Sequence, residues 1–167
     1  MSRQTQVRAL LLVSVFACAS CSTTYYHVVR HAEKLNQTDD SPLNEAGFRR
    51  AEALAAAMAD KNIGRIYVSD KQRTQQTAAP TAALFDLQPI MVPKPQTAQL
   101  ISQLRDVSGT SVLVVRHSEE IHTIVNALSP SDTISPIPDE FDNLYVIRRR
   151  VVLFQTDIRL DRLRYGQ

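Results

Sequence analysis

Apolar positions fall into two rhythms along this chain. Short apolar runs at Tyr25–Val29, Arg65–Ser69, Gln88–Val92 and Ser111–Val115 have the length of strands. Between them the spacing becomes helical. Asn44 is a suitable N-cap, with Glu45 in the first turn. Phe48, Ala51, Leu54, Ala55 and Met58 then recur at three- and four-residue steps as one apolar face, and Asn62 and Gly64 are stop signals. Lys71–Phe85 reads as a second helix that Pro80 should kink or divide. Thr97–Val107 turns Leu100, Ile101 and Leu104 inward, and Gly109 ends the following turn. Ser118 is placed to cap a fourth helix striped by Ile121, Ile124, Val125 and Leu128. Ser129–Pro138 is a proline-rich loop. From Phe141 the pattern turns to β: Leu144–Ile147, Val151–Phe154 and Ile158–Leu163 follow one another without a helix, so they should pair antiparallel. This order predicts an α/β fold: a three-layer α/β/α sandwich with a mostly parallel mixed sheet and a small antiparallel C-terminal ending.

Two of the strand ends share a sequence. Val28-Val29-Arg30-His31 returns as Val114-Val115-Arg116-His117, with Glu33 and Glu119 two residues after each histidine. If the two strands are parallel neighbours, both histidines emerge at the carboxyl edge, where open α/β sheets bind ligands. Two imidazoles and at least one guanidinium would then face a common anion.

The first twenty residues follow a different pattern. Arg3 and Arg8 form a basic start, Ala9–Ala17 is a mainly apolar stretch, and small residues with Cys18 and Cys21 follow. This is the layout of a secretory signal, and the stretch is too short to span a bilayer. A buried N-terminal helix is the alternative, although the segment has no polar face. Ala19-Ser20-Cys21 resembles a bacterial lipoprotein signal, in which the cysteine becomes the lipidated first residue; Cys18 is the rival site, less suited because Phe16 is large. The expected organisation is a signal at 1–20, a linker at 21–24 and a domain at 25–167, carried by an N-terminal lipid on the periplasmic side of a bacterial membrane.

Charge narrows the partners. The chain has 19 basic and 17 acidic side chains, and Arg3 and Arg8 account for the excess, so a chain starting at Cys21 is formally neutral. Nothing in it makes the basic face that nucleic acid needs. Arg148-Arg149-Arg150 reads as an edge-strand device or a turn, with an anionic-lipid contact as the alternative.

Four stretches carry the chemistry. They are Arg30-His31-Ala32-Glu33-Lys34, then Leu43-Asn44-Glu45-Ala46-Gly47 with Arg50-Ala51, then Ser69-x-x-x-Arg73-Thr74-x-x-Thr77-Ala78, and Val115-Arg116-His117-Ser118. In this order they resemble the histidine phosphatase superfamily, also called phosphoglycerate-mutase-like, and the terminal Leu163-Arg164-Tyr165-Gly166 extends the likeness. The short length and the first motif resemble the bacterial branch that includes SixA. The resemblance implies a metal-independent phosphatase needing no cofactor. His31 would be the nucleophile that carries phosphorus as phosphohistidine. Arg30 and Arg73 would hold the phosphoryl oxygens, and His117 would donate to them. The substrate would be a phosphorylated small molecule or envelope component. Three positions depart from the family pattern. Arg116 replaces a small residue and could crowd the site or add a cation. Glu119 stands where asparagine is common. The segment Val92–Gln96 holds no carboxylate to act as general acid, which leaves Glu119 as the candidate acid; otherwise Glu119 and Glu120 simply favour a helix start. Ser69 and Thr77 read as capping and packing residues, and His27 and His122 as structural. These departures keep a second reading open: a non-catalytic envelope lipoprotein that retains an anion pocket.

Overall fold

A computed structural model describes residues 21–136 and 140–166. The signal-like segment, including Cys18, lies outside the described residues. Among the described residues, six strands form one sheet in the order β3-β2-β4-β1-β5-β6. They are β1 (Cys21–Arg30), β2 (Ile63–Val68), β3 (Ile90–Met91), β4 (Ser111–Arg116), β5 (Asn143–Val152) and β6 (Gln155–Arg164). The first four run parallel, and β5 and β6 are antiparallel. Four helices connect them: α1 (Glu45–Met58), α2 (Gln72–Leu84), α3 (Thr97–Asp106) and α4 (Ser118–Leu128). A short 3-10 turn, Lys94–Gln96, precedes α3.

Strand side chains alternate between faces, and each face has its own core. Tyr26, Val28, Val112 and Val114 pack with Leu100 and Leu104 of α3 and Ile121, Ile124 and Leu128 of α4. Val29, Ile66, Val68, Leu113 and Val115 pack with Leu54 and Met58 of α1 and Ala78 and Ala82 of α2. Three layers result, as the sequence predicts. The helix after β1 covers one face and the helix after β4 the other, while the two strands lie side by side. Their carboxyl ends therefore open a crevice at a topological switch point.

Several boundaries differ from expectation. Cys21–Thr24 is not a linker: β1 runs through it, and Cys21 pairs with Val152 of β5. Phe48 does not join the buried face of α1; it is exposed. Pro80 lies inside α2 without dividing it. The cost is one missing amide bond, and Ala78, Thr81 and Ala82 hold that stretch against the sheet. The three expected C-terminal strands are two long ones, joined by a tight turn at Leu153-Phe154. Arg148-Arg149-Arg150 is neither turn nor edge, because β5 lies between β1 and β6. Arg149 instead reaches the last carbonyls of α3 and its cap, Arg105 O at 2.8 Å and Val107 O, where the helix dipole favours a cation. The fourth helix is capped by His117 rather than Ser118.

Candidate active site

The parallel pairing of β1 with β4 sets the repeated tetrapeptides in register: Val28 opposite Val114, Val29 opposite Val115 and Arg30 opposite Arg116. The His31 amide continues the ladder by donating to Arg116 O at 2.8 Å. The two imidazoles meet just beyond the strand ends, edge to face, with ring centroids 5.3 Å apart. Both are almost fully buried.

The loop after His31 is held from three sides. The Ala32 amide donates to Thr77 Oγ1 on α2 (2.9 Å), and that hydroxyl donates to Arg73 O (2.6 Å). The Asn44 amide donates to Glu33 O at 2.9 Å, while the Asn44 side chain accepts from Gly47 N and caps α1. The Glu33 carboxylate takes a guanidinium fork from Arg50, at 2.8 and 2.9 Å from Nε and 2.7 Å from Nη2. Gly47 permits this docking, since a Cβ there would run into the Glu33 carbonyl. The motif Leu43–Arg50 thus fixes the loop that carries His31.

Hydrogen bonding assigns the tautomers. The His31 Nδ1 lies 2.8 Å from Ala32 O, so Nδ1 carries the proton and donates it. Its Nε2 keeps a lone pair. Burial pushes the His31 pKa down to about 4; the Ala32 carbonyl opposes this, and Arg73, Arg30 and Lys34 add to it. His117 is arranged the other way. Arg73 Nη2 donates to its Nδ1 at 3.2 Å, which puts the His117 proton on Nε2, 2.9 Å from Ser69 Oγ. Burial first, then the charge of Arg73, bring its pKa to about 2. Both imidazoles are neutral across the physiological range.

Ser69 was expected only to cap and pack, and it does more. Its hydroxyl accepts from His117 and from the Lys71 amide (3.1 Å) and donates to Thr74 Oγ1 (2.9 Å), which donates to Lys71 O (2.8 Å). The signal in the sequence was its place at the carboxyl end of β2, four residues before Arg73. Phe141 was missed altogether. Its ring lies 4.1 Å from the Arg30 guanidinium carbon and 6.0 Å, centroid to centroid, from His31, so it walls the crevice beside both.

Arg73 is buried near the start of α2, with Nη1 donating to Asp39 O at 2.5 Å. The loop holding Asp39 also pairs with Lys71, and Asp40 accepts from the Gln72 amide at 2.8 Å. Glu119, in the first turn of α4, pairs with Lys94 at 2.6 Å. Burial works to raise its carboxyl, but Lys94, its own amide and His117 outweigh that and bring it down to about 2. Arg116 neither crowds the crevice nor adds a cation to it. It is fully buried on the α4 side, 2.6 Å from Glu120 and donating to Val68 O (3.3 Å), Val92 O (2.5 Å), Pro93 O (3.4 Å) and Lys94 O (3.3 Å). His27 is buried in β1 away from the crevice. Cys21, the expected lipidation position, is exposed at the opposite end of β1.

Residues 26–94 match the sequence model of the histidine phosphatase superfamily, branch 1. Over this segment the chain is similar to that superfamily. The uncharacterized proteins Rv0525 and MT0547, from two strains of Mycobacterium tuberculosis, are each 42% identical over 71 residues, which is 38% of this chain and 35% of theirs. The match thus spans about a third of the length of these curated relatives. Solved structures share the fold over most of the chain. A mycobacterial hydrolase superposes with a TM-score of 0.66 at 14% identity, covering 84% of this chain and 90% of that one. The protein histidine phosphatase SixA complexed with tungstate gives 0.62 at 19% identity, with 84% and 96% covered. The mycobacterial glucosyl-3-phosphoglycerate phosphatase gives 0.63 at 14%, with 86% and 100%.

Proposed function

We propose that this chain is a histidine phosphatase, metal-independent and acting on phosphomonoesters or phosphoramidates through a phosphohistidine on His31. The observation that carries this reading is the state of His31: neutral, with Nδ1–H donated to Ala32 O and Nε2 free to attack, beside His117 and Arg73. Attack by Nε2 on phosphorus expels the leaving group and puts a positive charge on the imidazole. The Ala32 carbonyl, accepting from Nδ1–H, stabilises that charge. Arg73 and Arg30 would bind the equatorial oxygens. A phosphoryl oxygen that replaces Ser69 as the acceptor for His117 Nε2–H would make His117 a donor to the transition state. Water then attacks phosphohistidine and releases phosphate.

Glu119 was the candidate general acid. Held at about 2 by Lys94 and its neighbours, it enters the reaction as a carboxylate. That state suits accepting a proton from the hydrolytic water better than giving one to the first leaving group. A leaving group as good as imidazole, in phosphohistidine, needs little acid help. A series of aryl phosphates tests the assignment: Glu119→Gln losing more with poor leaving groups supports the acid, and a uniform loss supports the base.

The central test is hydrolysis of p-nitrophenyl phosphate in the presence of a chelator. Turnover should vanish in His31→Ala and drop at least about tenfold in Arg73→Ala. Equal rates in wild type and His31→Ala would end the enzymatic reading. One observation favours the non-catalytic alternative: each terminal nitrogen of Arg73 already donates one hydrogen bond, to Asp39 O and to His117. Tight phosphate binding with no turnover in the wild-type protein would select it.

The membrane reading belongs to the same proposal. A lipid on Cys21 would carry the domain on the periplasmic side of an envelope bilayer, with a phosphorylated envelope component or small molecule as substrate. Mass spectrometry of the native N-terminus checks it; an intact Met1 contradicts it.

A further inference from the structure

Phe154 is fully exposed, at 101% of its reference area. It sits with Leu153 (61%) at the tip of the β5–β6 hairpin, next to Val152 (37%). Nothing in the fold asks for this. A two-residue hairpin turn favours glycine, asparagine or aspartate, because the backbone enters the left-handed region. Here Leu153 takes that conformation at φ 56°. A chain that places leucine at a glycine-type position and phenylalanine beside it, both in water, breaks local rules without a gain in packing. Such departures mark surfaces made for something other than folding.

The position of the tip names its partner. Val152 pairs directly with Cys21, Val151 with Ser22 and Arg150 with Thr23. The hairpin tip therefore stands at the same pole as the point where residues 1–20, with their mainly apolar stretch, join the domain. Arg150, exposed just behind the apolar tip, is placed for lipid phosphates once the tip is buried. The catalytic crevice lies at the other end of β1. Cys21 and Arg30 are the two ends of the ten-residue β1, about 30 Å apart at the usual rise.

We propose that Val152, Leu153 and Phe154 form a second membrane contact, inserting into the interface of the bilayer that holds the N-terminus, with Arg150 at headgroup level. Lipid surface is the occupant. An interfacial contact at the tip adds to the hold of the N-terminal lipid. The pair of attachments also fixes orientation. The domain stands upright, and His31 faces away from its own bilayer. Substrate then arrives from the aqueous side, and phosphates on headgroups of the same leaflet lie out of reach. The proposal rests on the proposed lipid at Cys21 for the choice of bilayer and for the orientation, and on the exposed tip for the hairpin contact itself.

The chain contains no tryptophan, so a single one reports cleanly. The native lipidated protein carrying Phe154→Trp is reconstituted into phosphatidylethanolamine–phosphatidylglycerol vesicles, with or without brominated acyl chains. Phe48→Trp on α1, near the crevice end, is the control. Tip fluorescence should shift to shorter wavelength and be quenched by brominated lipid several-fold more than the control, with turnover on soluble p-nitrophenyl phosphate unchanged by Phe154→Trp. An unquenched tip on protein that floats with the vesicles overturns the proposal and leaves the anchor standing. A blue shift that ignores bromination assigns the tip to a protein partner or a second copy and also overturns it. Quenching at the tip with an unmodified Cys21 in the mass spectrum removes the anchor and keeps the hairpin contact.

Discussion

Gly47→Ala tests how the site is built. In a helix interior, alanine is favoured over glycine by about 1 kcal/mol, so propensity alone predicts a more stable protein. Close approach decides otherwise. A Cβ at residue 47 would lie 3.1 Å from both Glu33 N and Leu43 Cβ, and far inside contact distance of Glu33 O. That oxygen is backbone and cannot rotate away. Relieving the clash moves the loop by about 1 Å against α1. The same carbonyl accepts from the Asn44 amide at 2.9 Å, and it lies two residues from His31. Displacement of a reacting group by 1 Å costs on the order of a hundredfold in rate. The expected result is kcat/KM on p-nitrophenyl phosphate lower by about that factor, with a secondary structure spectrum like wild type. Gly109→Ala is the contrast. Gly109 has φ 70° and nothing within 4 Å of a new Cβ, so the change should destabilise by about 1 kcal/mol and leave kcat/KM alone. If Gly47→Ala keeps wild-type kcat/KM, the α1 start does not position the nucleophile and the account is wrong.

Other consequences follow from single contacts. Glu120→Ala leaves the buried Arg116 guanidinium on carbonyls alone and should cost about 3–5 kcal/mol in urea unfolding; a loss below about 1 kcal/mol would mean the guanidinium finds water. Ser69→Ala removes the acceptor of His117 Nε2–H and of the Lys71 amide, and should cost about 1–3 kcal/mol while lowering kcat more than it raises KM; a KM effect alone would deny it a part in positioning His117. Stability should fall with acid in a defined window. His27 and His31 are held near 4 in the folded chain, by burial above all, against about 6.5 unfolded. The unfolded chain therefore binds the extra protons, and stability is lost as pH drops from about 6.5 toward 4. Across that window kcat/KM should hold until His31 itself protonates, and an acid limb centred near 6.5 would contradict a buried neutral nucleophile.

Much of this was legible in the chain because the relevant signals are local. Apolar runs and helical stripes placed every element of the parallel half, and the Asn44 cap was correct to the residue. The strand-end histidines needed only the assumption that β1 and β4 are neighbours. What stayed hidden depends on contacts distant in sequence. Phe141 arrives from more than a hundred residues beyond Arg30, in a loop with no pattern. The hairpin boundaries were misread because Arg148-Arg149-Arg150 looks like an interruption. Arg149 crosses to the end of α3 and Arg148 pairs with Asp157 at 2.6 Å, so β5 continues through them. Pro80 was overweighted, since a helix pinned on a sheet tolerates one missing amide bond.

The repeated Val-Val-Arg-His shows why sequence identity does not transfer a role. Arg30 and Arg116 are register partners on adjacent parallel strands, so both leave the same sheet face. Their neighbours then separate them. β4 is flanked by β2, and beyond it the end of β3 presents the Val92, Pro93 and Lys94 carbonyls, while α4 supplies Glu120. Every donor of Arg116 is directed to such an acceptor, which makes it a buried tie between strand ends. β1 has β5 on its other side, and there the neighbouring group is the Phe141 ring. A ring face attracts a guanidinium through its negative quadrupole. The sheet order, more than the tetrapeptide, decides what each arginine faces. A small residue at 116 would therefore leave the crevice chemistry intact and loosen the strand ends that frame it.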